Sequence, residues 1–315
     1  MSNMEMKNQT RISEFILLGF EDLHYLKIPL FLLFFFIYIL TLAGNLLIII
    51  LVVTDQHLHI PMYLFLGNLS CLEVCSSSTI LPKVLASFLL TNKAILIRDC
   101  MLQYFFFCGF TGTECYLLSV MSYDRYIAIC KPLHYATLMN NRFCRNMAFV
   151  SWLNGFLASA VVVLCMSQLI FCGPNEINHF FCDSPPVLKL SCSDTHAVSM
   201  VIFLLSSAFT FPPFILTLIS YVCIISTILR ISSVAGRQKT FSTCSSHLLV
   251  VTIFYGTLMS VYVLPETNKV INLKKIFSLF YTILTPMVNP FIYSLRNQEV
   301  KMAAKKLFHK CWTIS

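Results

Sequence analysis

Apolar residues run along this chain in long blocks separated by short polar segments. Seven blocks, at about 27–53, 59–88, 98–130, 143–168, 197–230, 240–264 and 273–295, are each long enough as a helix to cross the ~30 Å hydrocarbon core of a bilayer. They predict an all-α membrane protein, a seven-transmembrane-helix bundle. Residues 1–26 precede it as an extracellular amino terminus, the membrane domain covers 27–295, and 296–315 form a cytoplasmic tail. The gaps between blocks leave no room for a separate soluble domain.

The third block departs from a plain lipid-facing pattern. It closes on Met121-Ser122-Tyr123-Asp124-Arg125-Tyr126-Ile127-Ala128-Ile129-Cys130. Counting back at 3.6 residues per turn, Arg125, Ser122, Leu118, Glu114, Thr111 and Cys108 fall near one face. A face carrying these groups belongs inside a bundle, because charge in contact with lipid is costly. The first block holds Asn45 and the second Glu73, both at membrane depth, where polar groups need interior partners. Two buried acids, Glu73 and Glu114, either take up protons and pack or share a cation; the residues alone leave both readings open.

The fifth block carries Pro212-Pro213, which predicts a kink. The sixth opens with a polar run from Thr240 to His247, suited to a network of contacts at the membrane mouth. After the seventh, Val300, Ala304, Leu307, Phe308 and Cys311 share one face, with Lys301, Lys305, Lys306 and Lys310 around the rest. That pattern predicts an amphipathic helix lying on the membrane lipid.

Composition narrows the class further. The chain is 57% hydrophobic and 11% charged, against about 25% charged in soluble domains, so it has too little polar surface for water. Its formal net charge of +8 suits anionic lipid and a cytosolic partner and gives no reason to expect nucleic acid. Asn8-Gln9-Thr10 fits a glycosylation acceptor, which would place the amino terminus outside and, after seven spans, the carboxyl terminus inside. Most of the fourteen cysteines sit within apolar blocks as small hydrophobes. Cys100, Cys172, Cys182 and Cys192 instead gather on the side expected to be oxidising, as disulfide candidates whose connectivity spacing does not fix.

Taken together, Asp124-Arg125-Tyr126, Trp152, Asn289-Pro290-Phe291-Ile292-Tyr293 and Cys100 with its long cysteine-bearing loop resemble the rhodopsin-like receptors coupled to G proteins. Pro61-Met62-Tyr63, the Met121–Cys130 stretch, Thr240-Phe241-Ser242-Thr243-Cys244 and Pro286-Met287-Val288-Asn289-Pro290 resemble the signatures of vertebrate odorant receptors, over the length of the chain. Ser245-Ser246-His247 is similar to the tetrapod-type class. The resemblance implies disulfides Cys100–Cys182 and Cys172–Cys192. It implies an inner switch of Arg125, Tyr221 and Tyr293, with Asp124, Tyr126, His247, Asn289 and Pro290 around it. No acid stands at the inner end of the sixth helix, which leaves His247 and Tyr221 as partners for Arg125. The implied partners are a small volatile odorant and a heterotrimeric G protein of the stimulatory, olfactory type. The implied location is the plasma membrane of olfactory cilia. No enzymatic activity and no cofactor are expected; on the shared-cation reading of the two acids, Glu73, Glu114, Asn45 and Asn289 would hold a structural sodium ion.

The odorant pocket is expected in the outer half of the bundle. Its candidates are Phe107, Cys108, Thr111 and Gly112 on the third helix, and Ser206 and Phe209 on the fifth. Tyr255, Leu258, Met259 and Tyr262 on the sixth and Leu279 and Thr282 on the seventh complete the set. The lining is apolar with a few hydroxyls, as small-ligand sites generally are. Phe107 stands where amine receptors of the superfamily carry an acid, so the expected ligand is neutral. A chemosensor outside the nose would share this scaffold. A transporter is disfavoured by the lack of self-similar halves. An intramembrane hydrolase is disfavoured because nothing in the sequence supplies an acid to orient His247.

Overall fold

A computed structural model describes residues 12–90, 93–262, 268–296 and 298–312; Asn8 lies outside the described residues. The helices run Lys27–Thr54, Pro61–Leu89, Ile97–Cys130, Asn141–Ser167, His196–Leu229 and Val234–Tyr262. The seventh is assembled from Asn268–Leu279, a π-helical stretch Phe280–Leu284, and Thr285–Arg296. Local chemistry sets several of the boundaries. Pro61 opens the second helix, where its missing N–H costs nothing. Asn140 caps the fourth, its side chain accepting from the Phe143 amide at 2.9 Å. The fifth helix is continuous through Pro212 and Pro213, and the Thr217 hydroxyl donates to the Pro213 carbonyl at 2.8 Å.

Six of these helices are long and apolar enough to cross a membrane. The third is different because it is the axis of the bundle. Every residue from Leu117 to Ser122 is buried, on all sides of the helix. A helix sheathed by its neighbours has no lipid-facing surface to keep apolar, so it can carry Glu114 and a run of hydroxyls.

Close backbone approach rather than hydrophobic force holds such helices together, since lipid tails are as apolar as leucine. The third and fourth helices meet at Gly109, Gly112 and Gly155. A Cβ on Gly155 would stand 2.5 Å from the Gly109 carbonyl oxygen and from the Thr113 nitrogen. Ser159 donates to the Phe105 carbonyl across the same seam at 2.7 Å. Trp152 ties the fourth helix to the second through its indole N–H, which donates to Asn68 Oδ1 at 3.1 Å.

At the end of the bundle opposite Arg125, three short strands form a sheet in the order β2-β1-β3. Strand β1 (Glu14–Leu17) pairs antiparallel with β2 (Ala94–Leu96) and parallel with β3 (Glu176–Ile177). The alternation in β1 turns Phe15 and Leu17 into a buried cluster, Phe15 meeting Phe171 edge-on at 5.2 Å. Disulfides join Cys100 to Cys182 and Cys172 to Cys192, anchoring the long loop to the third helix and closing it on itself. At the other end, Gln298–Trp312 buries Val300 and Ala303 while Lys301, Lys305 and Lys306 stay exposed. Tyr63 donates to Glu299 at 2.8 Å and fastens this helix to the second.

The glycine seam generates a direct expectation. Gly155→Val should force the third and fourth helices apart and cost about 1–3 kcal/mol of stability, the usual range for overpacking. The check is thermal unfolding of purified receptor, with Gly256→Val as the comparison. A Cβ on Gly256 meets nothing within 4 Å, so that variant should unfold close to the parent.

Candidate functional site

Between the sheet and the middle of the bundle lies a cavity of about 560 Å³. Phe107, Cys108, Thr111 and Gly112 line it from the third helix, Ser206 and Phe209 from the fifth, and Leu258 and Met259 from the sixth. The 3.6-residue repeat brings the third-helix group together on one face. No charged side chain is part of the wall. Thr111 has its hydroxyl proton committed to the Phe107 carbonyl at 2.9 Å, so towards the cavity its oxygen is an acceptor. No described hydrogen bond engages Ser206, Ser207 or Thr210, and these hydroxyls can donate.

Three expected residues lie elsewhere. Tyr255 sits beneath the floor, its hydroxyl donating to the Cys115 carbonyl at 2.9 Å and its ring against Phe214. Thr282 is buried with its hydroxyl turned back to the Ser278 carbonyl at 2.6 Å. Leu279 packs with the cluster around Phe34, Phe107 and Tyr281. The cavity lies on the fourth- and fifth-helix side of the third helix, and the seventh-helix residues face the other side. The Tyr262 side chain lies outside the described residues. Sequence reasoning missed the fourth-helix wall of Gly155, Ala158, Ser159 and Val162, and Ser184, Pro185 and Leu188 of the loop. The fourth-helix residues stand at helical spacing, but nothing in the sequence shows what they face.

Phe107, one wall of the cavity, also belongs to an aromatic cluster. Phe107 meets Phe181 at 4.8 Å and Tyr281 at 5.9 Å, and Phe181 meets Phe180 at 5.0 Å. His179, in the loop, packs between Phe180 and Phe181. Its burial, reinforced by the Lys275 charge, pushes its pKa down to about 3 and keeps the imidazole neutral.

At mid-depth, Glu73 and Glu114 are buried and close enough to interact electrostatically. The Asn289 amide donates to Glu73, while the Asn45 amide donates to the Thr41 and Pro286 carbonyls, each at 2.9 Å. Asn45 Oδ1 and Glu114 Oε1 are buried oxygens with no hydrogen-bond partner among the described residues. Oxygen donors of this kind fit a hard monovalent cation. Among the described residues no three His, Cys, Asp or Glu side chains gather as a metal site, which sets this mixed amide and carboxylate group apart from a transition-metal centre.

At the inner end, Asp124 is buried and bonds Arg125, and Tyr135 donates to its other oxygen at 2.9 Å. Among the described residues Arg125 is thus held by its neighbour and not by the sixth helix, which corrects the expectation that Tyr221 and His247 would engage it. Those two pair with each other, Tyr221 Oη to His247 Nδ1 at 2.6 Å, joining the fifth and sixth helices. A buried carboxylate demands a cation, and the adjacent guanidinium supplies it. Tyr293 is buried, its hydroxyl without a partner. Tyr126 packs against the inner cluster of Tyr221, Ile224, Ile228 and Cys244, and Pro290 supports the first helix at Gly44, where a Cβ would come to 3.0 Å from its ring.

Known proteins resemble this chain in sequence and in fold. The sequence model of the olfactory receptor family matches residues 34–311. Human olfactory receptor 6B1 is 49% identical over 304 residues, covering 96% of this chain and 97% of its own. Human olfactory receptor 10A7 is 49% identical, covering 96% of each chain. Mouse olfactory receptor 5AP2 is 47% identical, covering 97% of this chain and 96% of its own. Among solved structures, squid rhodopsin superposes with a TM-score of 0.71 at 16% identity, covering 93% of this chain and 87% of that one; at that identity the likeness is one of fold. A seven-helix bundle with this inner Asp-Arg pair, matched across its length by these relatives, is a multi-pass membrane protein and not an enzyme: the chain belongs to the olfactory receptor family of rhodopsin-like G protein-coupled receptors.

Proposed function

We propose that the chain binds a small, neutral, volatile ligand in the cavity beside the third helix and activates a heterotrimeric G protein of the stimulatory, olfactory type. The carrying observation is the uncharged, mostly apolar cavity built on the helix that ends in Arg125. One rigid element then runs from the ligand to the coupling surface. In this reading the sheet end faces outside and the Arg125 end the cytosol. The exposed lysines of the last helix then lie against anionic lipid of the inner leaflet, and the receptor acts in the plasma membrane of olfactory cilia.

Activation follows from differential binding. A ligand shifts the bundle only as far as it prefers one state over another. Separation of the sixth helix from the third and fifth would break the Tyr221–His247 bond and release Tyr221. Arg125 could then leave Asp124, and its fixed donor fork would suit the backbone carbonyls of a partner. The sodium reading is part of the same proposal: Glu73, Glu114, Asn45 and Asn289 would hold the ion and favour the resting state.

Three measurements test this reading. In a cell-based cAMP screen against diverse odorants, Thr111→Val should weaken agonists carrying a hydroxyl by about threefold to tenfold, the worth of one hydrogen bond. Phe107→Ala should reorder agonist preference at unchanged surface expression. If neither variant alters any agonist, the cavity is not the ligand site. Arg125→Ala should reach the cell surface and give no cAMP response; normal signalling at matched surface level sinks the coupling assignment. Replacing sodium by N-methyl-D-glucamine should raise basal activity and lower thermal stability. If both stay constant, the two carboxyls share a proton instead.

A further inference from the structure

We infer that ligands enter the cavity sideways from the lipid, through a gap between the fifth and sixth helices. The inference rests on the cavity being the ligand site, as proposed above, and concerns the route to it.

The fifth helix is the one loosely held wall. All of its buried residues, Pro213, Thr217, Ser220, Tyr221, Ile224 and Ile228, lie in the half towards Arg125. From His196 to Pro212 no side chain is buried on any face. Phe203, Ser207 and Phe211, spaced four residues apart, form one edge of this half and line the cavity. Phe203 and Phe211 are also 66% and 45% exposed, so the same rings bound the cavity and meet the hydrocarbon. Side chains that belong to both surfaces mark an opening.

The opening has a side. On the other edge of the helix, Ile202 and Leu205 pack against the cluster containing Val162 and Met166, which seals the seam towards the fourth helix. Towards the sixth helix, the ring contact of Phe214 with Tyr255 at 5.0 Å closes the gap at mid-depth. Above that contact the sixth helix contributes Leu258 and Met259 to the cavity. Gly256 offers no side chain, and a Cβ there would meet nothing within 4 Å.

The sheet end, by contrast, is densely covered among the described residues. Phe180, Phe181, Cys182, Asp183 and Ser184 are all buried, β1 pairs with the same loop at Glu176–Ile177, and the Cys100–Cys182 bond pins it. Phe20 stacks on Phe88 and Phe180 at 5.9 and 5.6 Å. An apolar volatile leaves water spontaneously for hydrocarbon, so the bilayer holds it at higher concentration than the water above the sheet. Lateral entry draws on that store.

Cys108, which lines the cavity, reports access without any odorant. The receptor in lipid nanodiscs is treated with phenylmercuric acetate or with its sulfonated, membrane-excluded analogue p-chloromercuribenzenesulfonate. Thiol modification is then followed residue by residue by peptide mass mapping. The lipid-exposed thiol of Cys71 is the reference, and Cys108→Ser identifies the signal. The neutral reagent should label Cys108 about tenfold faster or more, because a sulfonate does not cross hydrocarbon. Ser207→Trp should slow that labelling and Phe203→Ala should speed it, relative to Cys71; opposite shifts are not the mark of misfolding. Equal rates for the two reagents, rates unchanged in both variants, or labelling of Cys71 with none at Cys108 would each overturn lateral entry. None of these outcomes depends on whether an odorant activates the receptor, so the route and the ligand reading stand or fall separately.

Discussion

Inside hydrocarbon no water is available to satisfy a polar group, and that constraint shapes this molecule from its axis outward. The third helix carries most of the polarity that the function needs, so it must be the most enclosed element. The other helices keep it out of the lipid. Their own polar residues point inward to meet it or one another: Asn45 to the seventh-helix backbone, Asn289 to Glu73, Asn68 to Trp152. Asp124 is the sharpest case, since it is buried and accepts from both Arg125 and Tyr135. Arg125 is held in place by the need to neutralise its neighbour.

Much of this was legible in the sequence because the relevant signals are local. Block lengths gave the helices to within a few residues, and the 3.6-residue repeat from Arg125 back to Cys108 traced the interior face of the third helix. What was not legible depends on how distant elements meet. Four residues, Glu14-Phe15-Ile16-Leu17, alternate like a strand, but their partners lie at Ala94–Leu96 and Glu176–Ile177. The fourth-helix wall exists because glycines let two backbones touch, and a sequence shows the glycines without showing their counterpart.

The seventh helix misled for a different reason. Leu279 and Thr282 lie at the depth expected of pocket residues, but the cavity sits on the other side of the third helix, and depth alone does not tell one side from the other. Likewise, Arg125 was assigned partners on other helices because family analogy emphasises contacts between helices. Geometry gave it the adjacent Asp124, and the freed Tyr221 and His247 found each other.

The seam at Gly109, Gly112 and Gly155 also bears on how force moves through the molecule. Backbones in contact at these glycines leave no slack for sliding, and Ser159 and Trp152 lock the same surfaces by hydrogen bonds. The third and fourth helices thus behave as a stator. The outer fifth helix, with no buried side chain before Pro213, is the compliant part. A guest wedged between the two, as proposed, would press on an unyielding wall and a yielding one, and displacement would go to the latter. Small differences in guest shape would then become differences in the tilt of a single helix, a mechanical amplifier whose gain is set by three residues that lack side chains.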